Sequence, residues 1–212
     1  MKWEEFIRTV GELPVIDTEI LLAGMPNPEP LKVQISRWEK AGKLIQLKRG
    51  FYLLSQPYRK VQVYEPYIAS ILKKPSYISL EKAMEYHGLI PEAVKVYTAV
   101  TSKRPGRFTS KVGVFAYQHI KTSLFWGYES VKLNGQTAFI ATPEKALLDF
   151  FYLKEIKISY EYLKELRLQN VEKINLDKLL EFALRFKKPK ILRSAKMLKK
   201  VILSILAEEK SL

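Results

Sequence analysis

The chain has 212 residues, 47% hydrophobic and 12% aromatic, enough to bury a core and to exclude disorder over most of its length. It contains no cysteine, which excludes disulfides, thiolate metal sites and thiol nucleophiles. There are 36 basic and 22 acidic residues, a net charge of +14 that favours a polyanionic partner, with nucleic acid ahead of an anionic membrane surface or an acidic protein.

That charge is unevenly placed. Residues 1–31 carry a net −4 and residues 32–60 a net +7, so the steepest change falls between segments that would be neighbours in one small unit. No apolar run approaches the ~18 residues of a membrane span. The opening Met1-Lys2-Trp3-Glu4-Glu5 carries two acids and lacks the apolar stretch of a signal peptide. The expected location is the cytoplasm, with no membrane partner.

In chain order, Trp3, Phe6, Ile7 and Val10 recur at helical spacing and mark a buried face. Gly11 and Pro14 stop that helix. Asp17 and Thr18 offer an N-cap for a short second helix through Ile20-Leu21-Leu22, ended by Gly24. Pro26 and Pro28 fall in a loop, and Pro30 suits the first turn of a third helix over residues 31–41, with Gly42 as its stop. In that helix Leu31, Ile35 and Trp38 fall on one face; Lys32, Ser36 and Lys40 fall opposite, with Val33 and Arg37 beside them. Leu44-Ile45-Gln46-Leu47 and Phe51-Tyr52-Leu53-Leu54 read as strands joined by the basic turn Lys48-Arg49-Gly50. Three helices and a cation-tipped hairpin predict a winged helix-turn-helix over residues 1–58. Lys32, Val33, Ser36, Arg37 and Lys40 are its expected reading face, and Lys48, Arg49 and Gly50 its expected contacts to phosphates or to an adjacent minor groove. An ordinary solvated helix face and turn fit the same pattern.

Residues 59–212 predict a mixed α+β domain, strands mainly at 94–141 and helices at 143–207. Tyr77-Ile78 leads into Ser79, a candidate N-cap for a helix through Tyr86. Strands are expected at 94–101 and 112–120, with Lys103-Arg104-Pro105-Gly106-Arg107 as a basic turn between them. Asn134-Gly135 is a strong two-residue hairpin signal. Thr142-Pro143-Glu144 opens a helix that is apolar nearly all round and should be central, followed by helices over 160–168, 176–186 and 191–207. Lys103, Arg104, Arg107 and Lys111 make a second basic run: a continuation of a DNA track, a grip on an acidic or RNA-bearing partner, or a solvated hairpin. Ile191, Ala195, Leu198, Ile202 and Ile205 form a seam among the C-terminal cations, suited to packing on the domain, to self-association or to a toxin surface.

Residues 35–44 with Leu47-Lys48-Arg49-Gly50-Phe51-Tyr52 resemble the N-terminal winged helix of AbiEi-type antitoxins. Tyr77-Ile78-Ser79-Leu80-Glu81-Lys82-Ala83, Tyr86-His87-Gly88-Leu89-Ile90, Thr101-Ser102-Lys103-Arg104-Pro105, Phe108 and residues 141–149 look like that family's later blocks, in the same order. The resemblance implies a transcriptional repressor of its own operon that also counters an AbiEii-like nucleotidyltransferase-type toxin, as a type IV toxin–antitoxin pair. The partners it implies are that toxin and double-stranded DNA carrying an operator, expected as inverted repeats. The alternative is a protein- or RNA-binding module that neutralises such a toxin without an operator of its own.

Enzyme signals are weak. His87 and His119 have no ligand spacing around them, and His87 suits a helix C-terminus. Ser79-Leu80-Glu81-Lys82 has S-x-x-K spacing without its companion motifs. Glu144 and Asp149 do not share a helix face, and the position of Glu144 near a helix start explains it. No catalytic residue, metal or cofactor is expected.

Overall fold

In the computed structural model, which describes residues 1–154 and 156–209, an apolar stripe on each N-terminal helix meets a small sheet. Helix α1 (Trp3–Val10) is followed by a two-residue strand β1 (Ile16–Asp17), α2 (Thr18–Leu22), α3 (Glu29–Lys40) and the hairpin β2 (Leu44–Lys48) and β3 (Phe51–Leu54). The sheet is antiparallel, in the order β1-β3-β2. Asp17 caps α2 by accepting from Glu19 N at 3.0 Å, and Pro30 lies in the first turn of α3, where its missing N–H costs no hydrogen bond. Phe6, Val10, Ile16, Leu31, Ile35, Trp38, Leu44 and Leu54 form one buried cluster. Trp38 is its hub, with ring centroids 4.6 Å from Phe6 and 4.9 Å from Trp3. Strand β1 leaves no signal in the sequence, because two residues carry no periodicity; it is defined by pairing Ile16 with Tyr52 and Asp17 with Phe51.

Alternation along the hairpin gives this sheet two apolar faces. Tyr52 and Leu54 turn to the small cluster, while Leu53 and, across an irregularity between Gln46 and Lys48, Leu47 join the larger core. That core surrounds a six-stranded sheet in the order β6-β7-β5-β4-β9-β8. Its elements run α4 (Glu65–Leu72), β4 (Tyr77–Ile78), α5 (Leu80–Tyr86), β5 (Val96–Thr101), β6 (Gly106–Ser110), β7 (Gly113–His119), β8 (Tyr128–Leu133) and β9 (Gln136–Ala141). Then come α6 (Pro143–Leu153), α7 (Tyr160–Glu165), α8 (Leu176–Arg185) and α9 (Pro189–Glu209). Residues 155 and 210–212 of the expected 59–212 segment lie outside the described residues.

The expected basic turn at 103–107 is corrected. Gly106 and Arg107 open strand β6, which pairs antiparallel with β7. The β6–β7 hairpin folds back so that β7 lies between β6 and β5, and this makes β5 and β7 parallel neighbours. Strands β4 and β9 are also parallel. The Asn134-Gly135 hairpin forms as expected, both residues with positive φ (49° and 77°) in a two-residue turn between Leu133 and Gln136. Helix α6 is buried from Glu144 to Phe151, as its apolar circumference suggested. The α9 seam packs inward, with Ile191, Ala195, Leu198 and Ile202 buried. Among the described residues no helix is long and apolar enough to cross a membrane.

Trp38→Ala removes the hub of the small cluster and is expected to cost about 3–5 kcal/mol in denaturant unfolding. Val33→Ala, on the opposite face of the same helix, should stay within about 0.5 kcal/mol of the parent.

Candidate nucleic-acid interface

An α-helix turns about 100° per residue, so burying Leu31, Ile35 and Trp38 commits the far side of α3 to solvent. Lys32, Val33, Ser36, Arg37 and Lys40 are all exposed, and even the apolar Val33 is 49% exposed. Lys32 pairs with Glu29 at 2.7 Å in water, a contact worth little. Among the described residues Arg37 and Lys40 take part in no ion pair. A groove of about 280 Å³ separates α3 from the hairpin turn, with Lys32 on one wall and Arg49 and Gly50 on the other.

The turn is shorter and more firmly tied than expected. Arg49 and Gly50 alone link the paired residues Lys48 and Phe51. Gly50 has φ 86°, and its carbonyl accepts from both Thr18 N (2.8 Å) and Thr18 Oγ (3.0 Å). Arg49 is exposed. Lys48 is not an outward phosphate contact in this structure: its amine donates to the carbonyls of Leu72 (2.7 Å) and Ile71 (3.4 Å) at the end of α4 and lies 4.2 Å from the centre of the Phe51 ring. Burial pushes its pKa down, opposed by Asp17 and reinforced by Lys73 and Lys74. The helix dipole and unpaired end carbonyls of α4 attract this cation.

The second basic run does not form one patch. Lys103 and Arg104 are exposed in the loop entering β6. Arg107 lines a separate cleft of about 710 Å³ that also contains Glu81 and Glu92. Lys111 is at the other end of β6, in the turn whose neighbour Val112 meets Gln56 and Lys60 across a third cleft.

The largest surprise is a buried polar cluster. Asp149 Oδ2 accepts from Tyr77 OH and Ser79 Oγ, each at 2.8 Å; Lys145 Nζ donates to Tyr77 OH at 2.9 Å and to Asp149 Oδ1. The lysine amine also lies 4.9–5.4 Å from the ring centres of Trp126, Phe186 and Tyr77. All four residues are shut off from solvent. Burial pushes the Asp149 carboxyl up and the Lys145 amine down, and their mutual attraction opposes both shifts. Burial and the neighbouring carboxylate hold the Tyr77 phenol far above its usual range.

Ser79 therefore precedes α5 as expected but gives its hydroxyl to Asp149 rather than to a cap bond. Glu144 is not explained by its helix position alone: it is buried, and its Oε1 accepts from Asn175 N at 2.9 Å. His87 ends α5 with Nε2 2.7 Å from the Ala141 carbonyl. The legible signal for the cluster was Lys145-x-x-x-Asp149, an i,i+4 pair of opposite charges flanking the apolar run Ala146-Leu147-Leu148.

Compared with models of known families and with curated proteins, the chain matches none.

Lys48→Ala should lower stability by about 1 kcal/mol, because the two α4 carbonyls are left without their donor. If the hairpin meets duplex DNA, Lys48→Ala should weaken that binding less than Arg49→Ala does, as read by parallel unfolding and titration. Lys145→Met should cost about 3–5 kcal/mol, since it strands a buried carboxylate. Adding Asp149→Asn, which still accepts from Tyr77 and Ser79, should recover part of that loss in chemical denaturation.

Proposed function

We propose that the chain is a sequence-specific, double-stranded-DNA-binding repressor whose residues 1–58 act as a winged helix-turn-helix. The observation that carries this reading is the two-faced α3: Leu31, Ile35 and Trp38 are locked into an aromatic core, while Lys32, Val33, Ser36, Arg37 and Lys40 face water together. A helix fits the major groove; Arg and Lys reach guanine O6 and N7, Ser bonds bases or phosphates, and a small apolar side chain meets a thymine methyl. The element order helix, strand, two helices and hairpin supports the reading, as does the net charge of +14. Arg49, across the groove from Lys32, is the phosphate contact of the hairpin, and Lys48 fastens that hairpin to α4.

The resemblance to AbiEi-type antitoxins extends the proposal to a repressor that also counters a nucleotidyltransferase-type toxin in the cytoplasm. No catalytic step or cofactor enters. A second role, gripping an acidic or RNA-bearing partner, is favoured by the exposed cations Lys187, Lys188, Lys190, Arg193, Lys196 and Lys200 beside exposed Leu184 and Leu203.

If about six phosphates are neutralised, log K for operator DNA falls with log salt at a slope of roughly −5. Arg37→Ala and Lys40→Ala should each erode the preference for upstream DNA over random duplex, while Arg49→Ala weakens both alike. Titrations of labelled duplexes at several salt concentrations test this. Parental discrimination in the Arg37 and Lys40 variants contradicts the assignment.

A further inference from the structure

Strands β2 and β6 are each the outer strand of their sheet, and they lie against one another. This brings the hairpin turn beside two loops of the larger body. Lys73 and Lys74 follow α4, whose last carbonyls hold Lys48. The Lys73 amine reaches β6, lying 3.6 Å from the point a side chain on Gly106 would occupy. Lys103 and Arg104 lead into that same glycine.

The two loops are held together by one buried residue. The Thr101 hydroxyl donates to the Pro75 carbonyl at 2.7 Å and accepts from Lys103 N at 3.2 Å. His119 Nδ1 lies 3.0 Å from the Lys103 carbonyl and ties the loop from its other side. Lys74 and Lys103 are therefore fixed relative to each other through the backbone, while their side chains remain in water.

Among the described residues, none of Lys73, Lys74, Lys103 and Arg104 belongs to an ion pair. Lys48 feels Lys73 and Lys74 as neighbouring cations, with Asp17 the acid that acts against them. Like charges gathered this closely oppose folding, and a polyanion relieves them. The sequence of positions is continuous: Lys32 and Arg49 face each other across the α3 groove, Arg49 adjoins Lys48, Lys48 is beside Lys73 and Lys74, and these border the Lys103–Arg104 loop.

We infer that Lys74, Lys103 and Arg104 extend the DNA-binding surface from the hairpin onto the larger body, where they neutralise backbone phosphates flanking the segment read by α3. This rests on the DNA reading of α3 and adds to it a footprint longer than the reading helix alone covers. The three cations meet phosphates, so they add affinity and salt dependence without sequence preference. Arg107, which lines the cleft holding Glu81 and Glu92, and Lys111, which follows the far end of β6, do not belong to the track.

The test compares the full chain with a Lys74→Ala/Lys103→Ala/Arg104→Ala variant on random-sequence duplexes of about 10 and about 20 base pairs, one and two helical turns. The expected parental salt slope steepens from the short duplex to the long one. On the long duplex the triple variant should have a slope shallower by about 2 to 3, near 0.9 for each phosphate no longer neutralised, with its preference for upstream DNA over random sequence unchanged. A triple Gln variant at the same positions, which keeps bulk and removes charge, should behave alike. A parental slope in either variant on the long duplex overturns the extension while leaving the reading of α3 in place. A parent chain that binds neither duplex, or binds double-stranded RNA of equal length more tightly than DNA, overturns both.

Discussion

The burial of Trp38 is the constraint on which the N-terminal unit depends. Its indole contacts Phe6 and Trp3 of α1, and with Leu31 and Ile35 it fixes the rotation of α3 about its own axis. Once that rotation is set, helical geometry leaves no choice about Lys32, Ser36, Arg37 and Lys40. They must stand outside, together, on a helix short enough to enter a groove. A polar outer face is ordinary for a surface helix. A cationic one, following a segment of net −4, concentrates positive potential where the chain presents a rigid rod.

A second constraint joins that unit to the rest. The three-stranded sheet is apolar on both faces, so Leu47 and Leu53 enter the larger core while Leu44 and Leu54 serve the smaller one. Lys48 adds a directional bond to the end of α4. The hairpin is consequently held at its tip by Thr18, on one side by α4 and along β2 by β6. A turn fixed in this way contributes a positioned cation, Arg49, rather than a mobile arm. The edges of two sheets also cover each other, which removes an exposed template for strand addition.

Much of this was legible in the residues. The stripe Leu31–Ile35–Trp38, the Asn134-Gly135 turn and the apolar α6 each declare themselves through local chemistry, and each is found where expected. What sequence could not supply were decisions taken between distant segments. Strand β1 exists only through its pairing with β3. Strand β6 was hidden behind Pro105-Gly106, turn-forming residues of which the glycine here opens an edge strand. The parallel β5–β7 pairing depends on which side a hairpin folds back. Lys48 looked like a solvated tip because its acceptors, the carbonyls of Ile71 and Leu72, are some two dozen positions away and leave no mark in composition. Asp149 was weighed only against Glu144; its pairing with Lys145 went unread, and Tyr77 and Ser79 join them only in three dimensions.

The outer face of α3 is proposed to lie in a major groove of duplex DNA. The absence of cysteine allows a clean measurement, because a single introduced thiol can carry an iron–EDTA cleavage reagent. With Ser36→Cys so tagged on DNA from upstream of the chain's own gene, the account predicts scission confined to a few neighbouring nucleotides facing one major groove, and only background scission from Leu203→Cys on α9. Diffuse cutting from position 36, no stronger than that from position 203, would contradict it.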